Sequence, residues 1–96
     1  MAHTLKLTEW QSPTGHWYAN DVSDLAGIAG KWWVPARLLG ISLEDYVLLL
    51  KDTYNATIVK YNAETDILIY YWNNYNDMHK FVLFLNKRAR QENFIV

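Results

Sequence analysis

Two runs rich in β-branched and aromatic residues, Ala56 to Tyr61 and Ile67 to Trp72, constrain the fold of this chain more than any other feature. The segment between them, Asn62-Ala63-Glu64-Thr65-Asp66, is polar and turn-forming, so the pair predicts an antiparallel β-hairpin. A similar signal occurs at the N-terminus. Leu5 to Trp10 alternates like a half-buried strand, Ser12-Pro13-Thr14-Gly15 carries turn chemistry, and His16 to Ala19 returns as a second strand.

Helical signals fill the remainder. Asn20-Asp21 offers an N-cap, with Asp24 at the capping-box position, to a short helix carrying Val22, Leu25, Ile28 and Ala29 and ending near Gly30. Another short helix is predicted from Pro35 to Leu39, closed by Gly40. Ser42 then caps a central helix, with Asp45 at N3 and with Ile41 and Tyr46 placed as a hydrophobic staple. Leu43, Tyr46, Val47, Leu50 and Tyr54 mark its face, and Asn55 marks its stop. Asn73, Asn74 and Asn76-Asp77 provide caps for a last helix, whose face is Met78, Phe81, Val82, Leu85 and Ala89. Phe81 to Leu85 taken alone also fits a buried strand, but the cations Lys87, Arg88 and Arg90 suit a helix C-terminus. No repeat or linker divides the chain. The expectation is α+β: a single compact domain over residues 1–96, with an N-terminal β-hairpin, short helices, a central helix, a second antiparallel β-hairpin and a C-terminal helix.

Composition narrows the function classes. Half of the residues are hydrophobic (51%) and a fifth are charged (20%), enough apolar material to offset chain entropy. There is no cysteine, which excludes a disulfide scaffold and points to a reducing cytoplasm. Met1 to Lys6 lacks the basic start and apolar run of a signal peptide. The longest apolar runs, Tyr46 to Leu50 and Ile67 to Trp72, are too short to span a bilayer, so a cytoplasmic location and no membrane partner are expected. A formal net charge of −1, from nine basic and ten acidic residues, fits neither a general nucleic-acid binder nor an acidic mimic of DNA.

Few residues are nominated for chemistry. His3, His16 and His79 are scattered without chelating spacing, and with no cysteine neither a metal nor another cofactor is expected. No G-x-S-x-G elbow occurs, and Ser12, Ser23 and Ser42 read as turn or cap residues. The carboxylates Asp21, Asp24 and Asp45 suit helix N-termini, while Glu64 and Asp66 flank a turn. Gly27-Ile28-Ala29-Gly30-Lys31 fails the Walker A pattern at Leu25 and Trp32. No catalytic residue is nominated, and the chain is expected not to be an enzyme.

Ala36-Arg37-Leu38-Leu39-Gly40-Ile41-Ser42 resembles the first helix and turn of helix-turn-helix proteins. The resemblance implies one alternative function: a winged-helix-like DNA-binding regulator using segment 36–54, with the hairpin over 56–72 in the position of a wing. Its would-be recognition helix opens Leu43-Glu44-Asp45-Tyr46-Val47-Leu48, acidic or apolar where base readers carry Arg, Lys, Asn or Gln. The cluster Lys80, Lys87, Arg88 and Arg90 is the candidate contact for nucleic acid or an acidic partner, with Lys80, Lys87 and Arg88 on one helical side. Nucleic acid is the disfavoured partner.

The surplus of rings points elsewhere. Five Trp, seven Tyr and three Phe exceed what one small core hides, and Trp, Tyr and Arg dominate interface hot spots. Trp32, Trp33 and nearby Arg37 form the leading protein-binding candidate, with Trp10, Trp17 and Tyr18 as its extension. The expected function is a small protein-interaction module that binds and inhibits or regulates a protein partner; homodimer formation is another arrangement such a surface allows. In general character the chain is similar to small phage or mobile-element inhibitors of bacterial defence systems, anti-CRISPR proteins among them, although no motif carries that likeness.

Overall fold

Both predicted hairpins form in the computed structural model, which describes residues 3–21 and 31–95. Strand β1 (Leu7–Gln11) pairs antiparallel with β2 (Trp17–Asp21) in a register that sets Trp10 against Tyr18. Gly15 makes the turn at φ 89°, its N–H donating to the Ser12 carbonyl at 2.9 Å. Strand β3 (Ile58–Asn62) pairs with β4 (Ile67–Tyr71), setting Val59 against Tyr70. Trp72, expected to extend β4 along β3, pairs instead with Trp17. The Trp17 N–H donates to the Trp72 carbonyl at 2.6 Å, and the reverse bond is 2.9 Å. This bridge lays the hairpins side by side in the order β1-β2-β4-β3.

Helix α1 (Trp33–Leu39) starts two residues before the predicted Pro35, which is tolerated because first-turn N–H groups lack helical acceptors. Gly40 ends it in the left-handed region at φ 68°. Helix α2 (Leu43–Leu48) begins as expected: Ser42 Oγ accepts the Asp45 N–H at 3.2 Å, and Ile41 packs against the core beside fully buried Tyr46. The predicted continuation to Tyr54 is not α-helical. Leu49–Thr53 widens into a π-helix, with the Tyr54 N–H reaching the Leu49 carbonyl at 3.1 Å. A regular α-helix would turn Tyr54 about 80° away from Tyr46. The wider turn cancels most of that rotation and places Tyr54 on the rings of Phe81 and Phe84, at 5.4 and 5.6 Å. Asn55 stops the segment at φ 57°.

Helix α3 (Tyr75–Gln91) starts at Asn74, whose side chain accepts the Asp77 N–H at 3.1 Å. The short helix predicted after Asp21 lies outside the described residues. Asp21 itself ends β2, and its carboxylate bonds His3 Nε2 at 2.9 Å and the Lys6 N–H at 3.2 Å.

One side of the paired hairpins carries the core. Leu68, Tyr70 and Trp72 join Leu7 and Ala19 there, against Tyr46, Leu50 and the five predicted apolar positions of α3. Trp72 and Phe81 are fully buried with ring centroids 5.3 Å apart. The core's polar atoms are paired: Trp72 Nε1 donates to the Tyr54 carbonyl at 2.8 Å, and the Tyr46 and Tyr70 hydroxyls meet at 3.1 Å. Asn86 of α3 holds the backbone of Leu7, tying the helix to the outer edge of β1.

Candidate interaction surface

Trp17 and Trp72 turn their side chains toward the core, and side chains alternate faces along a strand, so the residues neighbouring this bridge point outward. Trp10 and Tyr18 meet across β1 and β2 at 5.4 Å, and Tyr18 meets Tyr71 of β4 at 5.6 Å. His16 lies 4.1 Å from the Tyr71 ring, with Nδ1 2.8 Å from Asn73 Oδ1. The result is a continuous row of rings on the outer side of the sheet. Trp10 is 43% exposed, and Ile69, two residues along β4 from Tyr71, is 38% exposed. Tyr18 is the covered member of the row: desolvation first, and the adjacent Tyr71 second, raise its hydroxyl pKa.

Trp17 does not join this row. It faces the helices, packs against the core and stands edge-on to Tyr75 at 4.8 Å. Tyr75 stacks on His79 at 5.3 Å, and both reach Glu9: the phenol donates to Oε1 at 3.1 Å and His79 Nδ1 lies 2.6 Å from Oε2. The Glu9 hydrogen bond raises the Tyr75 pKa. This cluster ties β1 to the first turns of α3.

Trp32, Trp33 and Arg37 stand apart from the outer row. Trp32 packs partly into the core, and its Nε1 donates to Asp66 Oδ1 at 3.0 Å. The same oxygen accepts the Tyr61 hydroxyl at 2.6 Å; the Tyr61 bond first and the Trp32 bond second hold the Asp66 carboxyl below its ordinary pKa. Trp33 is edge-on to Trp32 at 6.1 Å and 43% exposed. Arg37 lies over the Phe94 ring at 5.4 Å. Asp66 and Tyr71 are five residues apart on an extended chain, about 16 Å. The structure therefore divides the six predicted protein-binding residues into an outer pair, Trp10 and Tyr18, a helix-facing Trp17, and the α1 group, in which Trp32 reaches the tip of the second hairpin, Trp33 leans on Trp32, and Arg37 lies over Phe94.

The four basic candidates also separate. Lys80 and Lys87 are exposed on the outward stripe of α3, beside exposed Leu83. Arg88 is turned about 100° from Lys87 and is ion-paired with Glu92. Arg90 lines a shallow cleft with Thr4, Leu5, Lys6, Asn86 and Asn93. On the helix-turn-helix-like corner, Glu44 and Asp45 are exposed in the first turn of α2.

Among the described residues, no group of three His, Cys, Asp or Glu side chains could hold a metal ion, and no helix is long and apolar enough to cross a membrane. No protein-family model, curated protein or solved structure matches the chain.

Sequence reasoning missed His16, Tyr71 and Ile69 as members of the outer row. The available signal was β4 itself: Ile67, Ile69 and Tyr71 occupy one phase, and Leu68, Tyr70 and Trp72 the other. A strand that is apolar in both phases is suited to cover on both faces.

Proposed function

We propose that this chain is a cytoplasmic protein-interaction module that binds, and thereby inhibits or regulates, a protein partner. The observation that carries the reading is the outward row Trp10–Tyr18–Tyr71, continued by Ile69, on a sheet whose opposite side is filled by the core. Rigid aromatic side chains lose little rotamer entropy on binding and contribute large contact areas, which suits them to interface anchors. Trp33, with Arg37 on the same short helix, is a second exposed anchor. Small size, near-neutral charge and the ring surplus give the reading its particular form, a phage- or mobile-element-encoded inhibitor of a bacterial defence enzyme. The exposed carboxylates of Glu44 and Asp45 weigh against the DNA-binding alternative, because they would face phosphates.

The test is affinity capture from a nuclease-treated bacterial lysate with wild-type protein, Trp10→Ala/Tyr71→Ala and Trp33→Ala/Arg37→Ala. A partner retained by the wild type and lost by one folded double variant is the expected result. Capture unchanged in both variants, or abolished by the nuclease, overturns the reading. Sedimentation of the purified chain reads the homodimer arrangement separately.

A further inference from the structure

The two outer edges of the paired hairpins are treated differently. Trp17 and Trp72 exchange backbone hydrogen bonds, so Tyr18 directs its N–H and C=O to β1, and Tyr71 directs its groups to β3. The Thr57 N–H, which reaches the Tyr71 carbonyl at 2.9 Å, agrees. On β1 the outward groups then belong to Leu7, Glu9 and Gln11, with Leu5 continuing the phase just before the strand. The Leu5 N–H donates to the Phe94 carbonyl at 2.9 Å, and both Leu7 groups are held by Asn86, so a strand cannot run along the Leu5–Leu7 half of this edge, and only the outward groups of Glu9 and Gln11 remain beyond it. On β3 the register Ile58↔Tyr71, Lys60↔Ile69 and Asn62↔Ile67 takes those residues' groups inward. Val59 and Tyr61 therefore aim their N–H and C=O away from β4. No hydrogen bond from another described residue reaches them.

We propose that the edge of β3 is a docking site for an extended segment of a protein partner, which adds to the sheet as a further strand and carries an acidic residue opposite Lys60. Alternating outward donors and acceptors at the centre of a strand are complementary to another extended backbone. Lys60 lies between Val59 and Tyr61, is exposed, and makes no salt bridge. A second copy of this chain, paired antiparallel about that centre, would oppose Lys60 to Lys60, which destabilises a cross-strand pair; a carboxylate there is favourable. Lys60 thus disfavours self-pairing in that register and favours an acidic partner strand. The exposed Tyr61 ring, anchored through its hydroxyl to Asp66, flanks the track. The inference rests on the protein-binding reading and specifies the contact.

The test uses displayed libraries of extended peptides with alternating β-branched residues and a fixed central Glu, with a fixed-Lys library as control. The Glu library yields binders that slow amide exchange at Val59 and Tyr61 by at least about tenfold, and Lys60→Glu shifts selection to the Lys library. Tyr61→Pro removes one outward donor, a change edge strands accept, and weakens these peptides at least about tenfold, whereas Tyr61→Phe retains binding. Retained protection at Ile58, Lys60 and Asn62 confirms that the Pro variant is folded; if it is not, the Lys60→Glu result decides. No binders from the Glu library, binders that leave Val59 and Tyr61 exchange unchanged, or equal binding by a folded Tyr61→Pro chain overturns the proposal. A captured protein that ignores Tyr61→Pro and Lys60→Glu but is lost with Trp10→Ala/Tyr71→Ala sinks the edge contact alone and leaves the binding reading standing.

Discussion

The carboxamide of Asn86 acts as a surrogate strand for Leu7: Oδ1 accepts the Leu7 N–H at 2.7 Å and Nδ2 donates to the Leu7 carbonyl at 3.1 Å. These residues lie 79 positions apart, so the contact locks the C-terminal helix to the first strand. Asn86→Ala leaves two backbone groups at a partly buried edge without their partner. The expected cost is about 2 kcal/mol, read as a lower urea midpoint with unchanged slope. An unchanged midpoint would show that water replaces the amide without loss.

The α1–α2 corner rests on two local devices. Ser42→Ala removes the hydroxyl that accepts the Asp45 N–H and should cost about 1 kcal/mol. Gly40→Ala meets no atom within 4 Å, so its expected cost, also about 1 kcal/mol, is backbone strain at φ 68°. Restoring Ser42 by Thr should recover most of the first loss; a Thr variant as unstable as the Ala variant contradicts the cap assignment.

Tyr46 and Tyr70 share a buried hydroxyl–hydroxyl bond. Tyr46→Phe strands the Tyr70 hydroxyl and should cost about 1–2 kcal/mol, whereas Tyr46→Phe/Tyr70→Phe should cost less than the sum of the single changes. Denaturant melts of the four proteins in this double-mutant cycle measure the difference, and strict additivity argues against the bond.

The same pair sets an alkaline limit. Burial raises both hydroxyl pKa values, Tyr46 well above the ordinary 10.0. Each is a neutral acid that holds its proton longer folded than unfolded. Its contribution is therefore complete below about pH 10 and falls as pH rises from there through the folded-state values. Chemical unfolding followed between pH 8 and 12 should show stability declining from about pH 10, with a smaller decline in the double Phe variant. Equal declines would assign the alkaline loss to other groups.

The tryptophans separate by role. Trp72→Ala empties the centre of the core and should cost about 4 kcal/mol, enough to unfold a marginal domain. Trp33→Ala, at a half-exposed site, should change stability much less. Thermal melts of the two variants read the contrast, and similar melting temperatures would contradict the assigned burial.

Local signals were legible where the physics is local. Ser42, Asp45 and Gly40 act within one helical turn of their own positions, and the five apolar positions of α3 repeat at the helical period. The π-helical turn at Leu49–Thr53 was not legible, because the contacts that accompany it, of Tyr54 with Phe81 and Phe84, join residues far apart in the chain. Among the ring candidates, adjacency misled: Trp17 and Tyr18 are neighbours in the chain yet occupy opposite faces of a strand.

By itself, then, the pattern of apolar, turn and capping residues determined which segments become strands and helices, since those preferences depend on near neighbours. The tertiary structure decided how the hairpins lie together, which rings remain outside, and which strand edge stays open. A single bridge between Trp17 and Trp72 sets the relation between the sheets, and Asn86 closes the Leu7 end of the β1 edge while leaving β3 open. Those contacts join residues far apart in the chain, where no local preference reaches.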